Sequence, residues 1–170
     1  MADQGTIQTV VWGTGNMGRA AIRAIDAHPH LELAAVLVNN PEKVGRDAGD
    51  LAGLGRTLGV AATDDIDGVL ASKPAAIAYM ASGDIRPDDA VADVCRGLRA
   101  GAVVVTPAIY PLYDPTGAPP EIIDPVHHAI AEGGGKLFVS GIDPGWGNDI
   151  LPALLTSVSS TVDQVRCQEI

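Results

Sequence analysis

The stretch "TVVWGTGNMGRAA", Thr9 to Ala21, runs from an apolar segment through three glycines into an alanine-rich one. Within it, Gly13-Thr14-Gly15-Asn16-Met17-Gly18 fits the pattern G-x-G-x-x-G. Glycine supplies 20 of the 170 residues, so a bare match decides little. The flanks decide more. Ile7 to Trp12 is short, apolar and β-branched and reads as a first strand. Asn16 to Ala27 has helical spacing and stops at His28-Pro29. Strand, glycine turn and helix in that order form a cradle for a dinucleotide. Gly13 permits the tight turn, Gly15 lets a pyrophosphate approach the backbone, and Gly18 lets the helix pack closely. The free N–H groups at Thr14, Asn16 and Met17 then face the phosphates. The alternative is a strand-helix turn that holds no ligand.

Working outward, strand and helix alternate. Leu31 to Val38 is nearly all apolar, as expected of a strand buried on both faces of a parallel sheet. Asn39 to Gly59 reads as a loop with a short helix, Gly59 to Ala62 as a short strand, and Ile66 to Ala71 as a helix. Ala75 to Met80 and Ala102 to Val105 read as strands around a helix from Pro87 to Ala100, closed by Gly101. Tyr110 to Pro120 holds four prolines and reads as a loop. A helix ending near Glu132 and a strand from Lys136 to Val139 follow. Asp149 is expected to N-cap a helix from Ile150 to about Val158. The pattern predicts a Rossmann-type α/β fold, a doubly wound parallel sheet over residues 1–158. Ser159 to Ile170 reads as a turn and a strand through Val162, Val165 and Cys167, opening a further substrate or oligomerisation domain.

Composition narrows the function classes. The formal charge of -10 repels polyanions, which argues against nucleic acid and anionic membrane. No apolar run is long enough to span a bilayer, and Met1-Ala2-Asp3-Gln4 has no basic region before an apolar one. Cys95 and Cys167 show no metal or redox spacing. A cytoplasmic setting is expected.

The cofactor is read outside the glycine motif. An acidic residue about 20 positions beyond the glycines bonds the ribose 2′-hydroxyl of NAD. Here Asn39 and Asn40 stand at that place, with Lys43 and Arg46 close behind. Without a carboxylate a 2′-phosphate is not repelled, and the cations can pair with it, which favours NADP over NAD. The alternative is that Lys43 and Arg46 are solvated loop charges and that Asn39 accepts either cofactor. Ala81 and Ser82, after one strand, and Thr106, after another, are expected beside the nicotinamide. The loop "SGIDPGWGND", Ser140 to Asp149, offers Asp143 and Asn148 toward cofactor or substrate. His127 and His128 point about 100° apart on a helix and cannot chelate one ion, so they read as packed or surface residues, and no metal site is expected.

WGTGNMGRAA, NNPEKVGRDAG, VVTP, SGIDPGWGND and VDQVRCQEI together resemble the dihydrodipicolinate reductase N-terminal family. The chain is most similar to its branch containing 2,4-diaminopentanoate dehydrogenase and the native amine dehydrogenases. The resemblance implies an NAD(P)-dependent oxidoreductase with a separate substrate domain, a small-molecule substrate and homo-oligomers. Hydride transfer to or from a C=N or C=O carbon is the implied reaction. The amine dehydrogenases carry a glutamate just after the segment similar to VVTP. Here that place reads Pro107-Ala108-Ile109-Tyr110, in which Tyr110 is the only titratable group. No catalytic residue is therefore assigned, and Tyr110 joins Asp143 and Asn148 as a substrate-side candidate. A non-catalytic dinucleotide-binding module is the competing expectation.

Overall fold

The computed structural model describes residues 5–168; Met1 to Gln4, Glu169 and Ile170 lie outside the described residues. Strands β1 (Ile7–Trp12), β2 (Leu31–Leu37), β3 (Ala62–Thr63), β4 (Ala76–Tyr79), β5 (Val103–Thr106) and β6 (Lys136–Val139) form one sheet. Its order is β3-β2-β1-β4-β5-β6, parallel throughout. The helices are α1 (Asn16–Ala27), α2 (Ala48–Ala52), α3 (Ile66–Ala71), α4 (Pro87–Arg99), α5 (Pro120–Gly133) and α6 (Leu151–Thr156). This is the Rossmann order, and it reverses direction between β1 and β4.

Alternation along each strand divides the core. Val10, Trp12, Ile77, Tyr79 and Val104 bury against α4 and α5 on one face. Val11 and Val36 bury against Ile22, Ile25, Ala48 and Leu51 of α1 and α2 on the other. Trp12 and Tyr79 meet edge to face at 5.5 Å between ring centroids, an arrangement aromatic pairs favour. Aromatics are otherwise scarce, and aliphatic residues and alanine fill the rest of both layers.

Several sequence-based boundaries change. The third strand is Ala62–Thr63, not Gly59 to Ala62, and it pairs only with Val36 and Leu37. The first part of β2 therefore lacks an outer neighbour, and Glu32 and Ala34 are exposed where burial on both faces is expected. The proline-rich loop contains a 3-10 turn, Tyr110–Tyr113, and Pro120 already belongs to α5. The last helix is shorter than expected and follows a π-type turn, Trp146–Ile150. Asp149 lies inside that turn instead of N-capping α6; its carboxylate reaches back to accept from the Gly145 N–H at 2.7 Å. His127 and His128 are exposed on α5. Residues 159–168 form no strand: none of the described strands pairs with Val162, Val165 or Cys167, and a lone strand has no ladder to satisfy its backbone. No helix among the described residues is long and apolar enough to cross a membrane.

Candidate dinucleotide site

The glycine turn is sewn between its neighbours. The Gly13 N–H donates to the Leu37 carbonyl at 2.8 Å, and the Met80 N–H donates to the Trp12 carbonyl at 2.7 Å. The turn therefore sits at the carboxyl ends of β1, β2 and β4, at the switch point of the sheet. Gly13 has φ +100, and a Cβ there would lie 2.7 Å from the Ala81 nitrogen, so only glycine fits. A Cβ on Gly18 would lie 2.7 Å from the Gly13 carbonyl carbon and collide with its oxygen. Gly15 differs from both: nothing lies within 4 Å of where its Cβ would be. Gly13 and Gly18 settle local packing, and Gly15 borders open space.

That space is a cleft of about 630 Å³. Gly13, Thr14, Gly15, Asn16 and Met17 form its floor, and Asn39, Asn40 and Lys43 one end. Ala81 and Ser82 form the wall after β4, Pro107, Ala108 and Tyr110 the wall after β5, and Asp143 arrives from the loop after β6. α1 is 12 residues long, and no acceptor among the described residues takes the N–H groups of Asn16, Met17 and Gly18; the first of its amides bonded backward is Arg19. Unpaired donors at a helix start beside a Cβ-free floor suit a pyrophosphate. The residues present therefore fit a dinucleotide.

Lys43 ends a 3-10 turn, Pro41–Lys43, whose N-cap is Asn40; the Asn40 side chain accepts from the Glu42 N–H at 3.0 Å. That turn carries the Lys43 ammonium back across the cleft. It donates to the Thr14 hydroxyl at 3.0 Å and to the Thr14 carbonyl at 3.3 Å. Arg46 looks equivalent in the sequence but does not line the cleft. Its carbonyl accepts from Ala62 at 2.8 Å, which ties it to the β3 side, and its side chain is exposed.

Two further candidates fall outside the cleft lining. Thr106 is fully buried, and its hydroxyl accepts from the Ala108 N–H at 2.9 Å, so it shapes the turn after β5. Asn148 is held in the π-type turn, where its N–H donates to the Ile142 carbonyl at 3.3 Å. Gly83, at the same strand end as Ala81 and Ser82, lines the cleft as expected, while Met80 and the segment Asp84 to Arg86 line it without having been singled out from the sequence. Arg86 among them is fixed by the Asp89 carboxylate at 2.8 Å. The signal available was its position just past a strand end, which does not say where the loop folds.

Behind the site, burial and then the Asp93 carboxylate push the Tyr79 phenol above its ordinary range. Its hydroxyl donates to Asp93 at 3.1 Å, and burial holds that carboxyl above the usual carboxylate range. Burial, then Asp149 beside it, also raises Tyr113. Asp149 thus faces both Tyr113, from the segment after β5, and Gly145, from the loop after β6.

Residues 7–81 match the family model described as "Dihydrodipicolinate reductase, N-terminus". An amine dehydrogenase from Streptomyces virginiae is 65% identical over 164 residues, which cover 96% of this chain and 46% of that relative. The structure of an amine dehydrogenase from Mycobacterium smegmatis superposes with a TM-score of 0.74 at 29% identity, over 96% of this chain and 47% of that one. A scyllo-inositol dehydrogenase from Lactobacillus casei, solved with NAD(H) and scyllo-inositol, shares the fold with a TM-score of 0.53 at 21% identity, over 78% of this chain and 36% of that one. The chain thus spans about half the length of the amine dehydrogenases it matches. The chain is a Rossmann-type domain whose matched relatives are dehydrogenases and reductases.

Proposed function

We propose that the chain is the cofactor-binding half of an NADP-preferring oxidoreductase. The reaction interconverts a C–H and a C=N or C=O group on a small substrate. The observation that carries this reading is the Lys43 ammonium over Thr14, at the end of a cleft whose floor has a Cβ-free position and unpaired amides. A cation with no carboxylate in the Asn39-Asn40 pair suits a 2′-phosphate.

When bound, the nicotinamide supplies the hydride donor or acceptor. The chain's own residues bind and orient. Asn16, Met17 and Gly18 amides hold the pyrophosphate, and Lys43 the 2′-phosphate. Ala81, Ser82, Pro107 and Ala108 would wall the nicotinamide, and Tyr110 and Asp143 of the same cleft would meet the substrate. The similarity to the Streptomyces virginiae amine dehydrogenase favours an amine and its ketone as the substrate pair of the whole protein. In the oxidative direction the bound cofactor would supply the hydride acceptor, the amine would give up a hydride equivalent and a proton, and water would release the ketone and ammonia.

The test is titration of the 170-residue chain with NADPH and NADH, following nicotinamide fluorescence. Both bind, NADPH more tightly, and turnover needs the remaining length that the relatives carry. Failure of both to bind overturns the reading. A non-catalytic module is the second reading, favoured by the lack of a carboxylate in Pro107 to Tyr110. It predicts cofactor binding without turnover even in a protein of the relatives' full length.

A further inference from the structure

A second cavity lies outside the dinucleotide cleft. It occupies about 880 Å³ between α4 and α5, within the ~300–1,000 Å³ of small-molecule sites. Its floor is apolar: Ala90, Val91 and Cys95 from α4, Ile109 from the segment after β5, and Ile122 from α5. Cys95 is 2% exposed, a free thiol with no hydrogen-bond partner among the described residues. Burial, outweighing the nearby Arg99, holds that thiol above its ordinary range. The charged groups stand at the two ends. Asp84, Asp88 and Glu121 lie where the helices begin, and Arg99 closes α4 at the other end. Arg99 is already paired with Glu132. None of the three carboxylates has an ion-pair partner among the described residues. Asp88 and Glu121 lie in the first turns of their helices, where the helix dipole favours a carboxylate. Asp84 lies ahead of α4 and has no such reason to be acidic. A thin partition separates this cavity from the dinucleotide cleft, and Gly83, Asp84, Ala108 and Tyr110 border both. Backbone meets backbone in that partition, since a Cβ on Gly83 would lie 2.8 Å from the Ala108 carbonyl carbon.

We propose that this cavity binds a small amphipathic amine, with its apolar body on the floor of Val91, Cys95 and Ile122 and its ammonium among Asp84, Asp88 and Glu121. Charge decides the class of ligand. Three unpaired carboxylates on a chain of formal charge -10 attract a cation and repel an anion. Tyr110, at the same end, adds an aromatic ring, which an ammonium also favours. A bare metal ion fits poorly, because no three His, Cys, Asp or Glu side chains among the described residues converge to hold one. The floor decides that the cation carries an apolar body. Its one polar group is the Cys95 S–H, a weak donor that meets no acceptor of the chain. A strongly hydrated ligand would gain nothing from such a floor, whereas an alkyl or aryl group removes apolar surface from water there. The site is separate from the cofactor cleft, and the inference stands whether or not a dinucleotide binds in that cleft.

The test titrates the isotope-labelled 170-residue chain with hexylamine, hexan-1-ol and hexanoate and follows the amide chemical shifts by NMR. Hexylamine is expected to shift the Val91, Cys95 and Ile122 amides saturably and to leave those of Gly15 and Asn16 unmoved. Hexan-1-ol should move the same amides with roughly tenfold weaker affinity, the value of a bond to a charged group, and hexanoate should move none. Asp84→Asn should weaken hexylamine severalfold and leave hexan-1-ol unchanged. Ala92→Trp, at an exposed position that lines the cavity, should abolish binding of both while the spectrum stays that of a folded chain. If the larger side chain unfolds the protein, Asp84→Asn, at an exposed loop position, still decides. Equal affinity for amine and alcohol overturns the proposal, as does hexylamine binding that Asp84→Asn leaves intact or that centres on Gly15. The absence of any saturable shift overturns it too, and if the same amides broaden with protein concentration, the cavity is an interface between copies instead. A separate NADPH titration keeps the readings apart: amine binding without NADPH binding removes the cofactor reading and leaves this site standing.

Discussion

The Lys43 ammonium and the Thr14 hydroxyl stand 3.0 Å apart, joining the turn after β2 to the glycine turn after β1. That bond aims a cation at the end of the cleft, where the pair Asn39-Asn40 supplies no carboxylate. Replacing Lys43 by Gln is expected to weaken NADPH binding by roughly 10-fold, the value of ~1.5 kcal/mol for a hydrogen bond to a charged group. NADH binding should change by less than about twofold, well under that charged-bond value. Parallel fluorescence titrations read both. Equal losses for the two cofactors would mean that Lys43 only braces the loop.

Gly15 and Gly18 are three residues apart and should fail differently. A Cβ at Gly15 meets open space, so Gly15→Val should leave the melting temperature nearly unchanged and abolish cofactor binding. At Gly18 the side chain would strike the Gly13 backbone, so Gly18→Ala should destabilise by about 1–3 kcal/mol, the usual cost of overpacking. Thermal denaturation with and without NADPH distinguishes them. A Gly15→Val protein that binds like the parent places the pyrophosphate elsewhere.

Asp47 accepts from the N–H groups of Leu58, Gly59 and Gly49 at 2.8, 2.8 and 2.7 Å, pinning the loop after α2. These bonds, the one from Leu58 foremost, hold its carboxyl below the usual range. A depressed folded value means that the stabilisation is present above the unfolded value near 3.8 and is lost as pH falls through the folded one. Asp47→Asn should therefore melt earlier than the parent at pH 7, with the gap closing toward pH 3. A gap independent of pH would show that ionisation is not what pins the loop.

The Tyr79–Asp93 pair predicts the opposite trend. Burial raises Asp93, so its charge works against the fold at neutral pH, and stability gained through it rises as pH falls through its folded value. Asp93→Asn keeps an acceptor for the Tyr79 hydroxyl and removes that charge. It should be neutral to stabilising at pH 7, with any advantage fading in acid. Tyr79→Phe should destabilise by about 1 kcal/mol, the value of the lost bond. Denaturant titration at pH 7 and pH 4 tests both; a strongly destabilised Asp93→Asn would assign the carboxylate a structural charge role.

Much of the fold was legible because its signals are local. The apolar run to Trp12, the glycines after it and the helical spacing from Asn16 occupy consecutive positions, and Lys136–Val139 appears with the expected bounds. The floor of the cleft was legible for the same reason. The expectations that changed depended on partners distant in sequence. Glu32 is exposed because β3 is only two residues long. Asp149 turned from a cap into a clasp because Gly145, with φ +139, folds back against Gly141.

By itself the sequence determined the α/β alternation and the place of the glycine turn, since hydrophobic period and glycine geometry act within a few residues. Only the tertiary structure decided which cation reaches the cleft. Lys43 and Arg46 are three residues apart and alike in charge, but a 3-10 turn sends one to Thr14 while backbone bonds to Ala62 hold the other away. The same is true of Val105 and Phe138, exposed register partners on β5 and β6. Strand order places those residues beyond the reach of α1, and no local pattern in either strand records what lies across it.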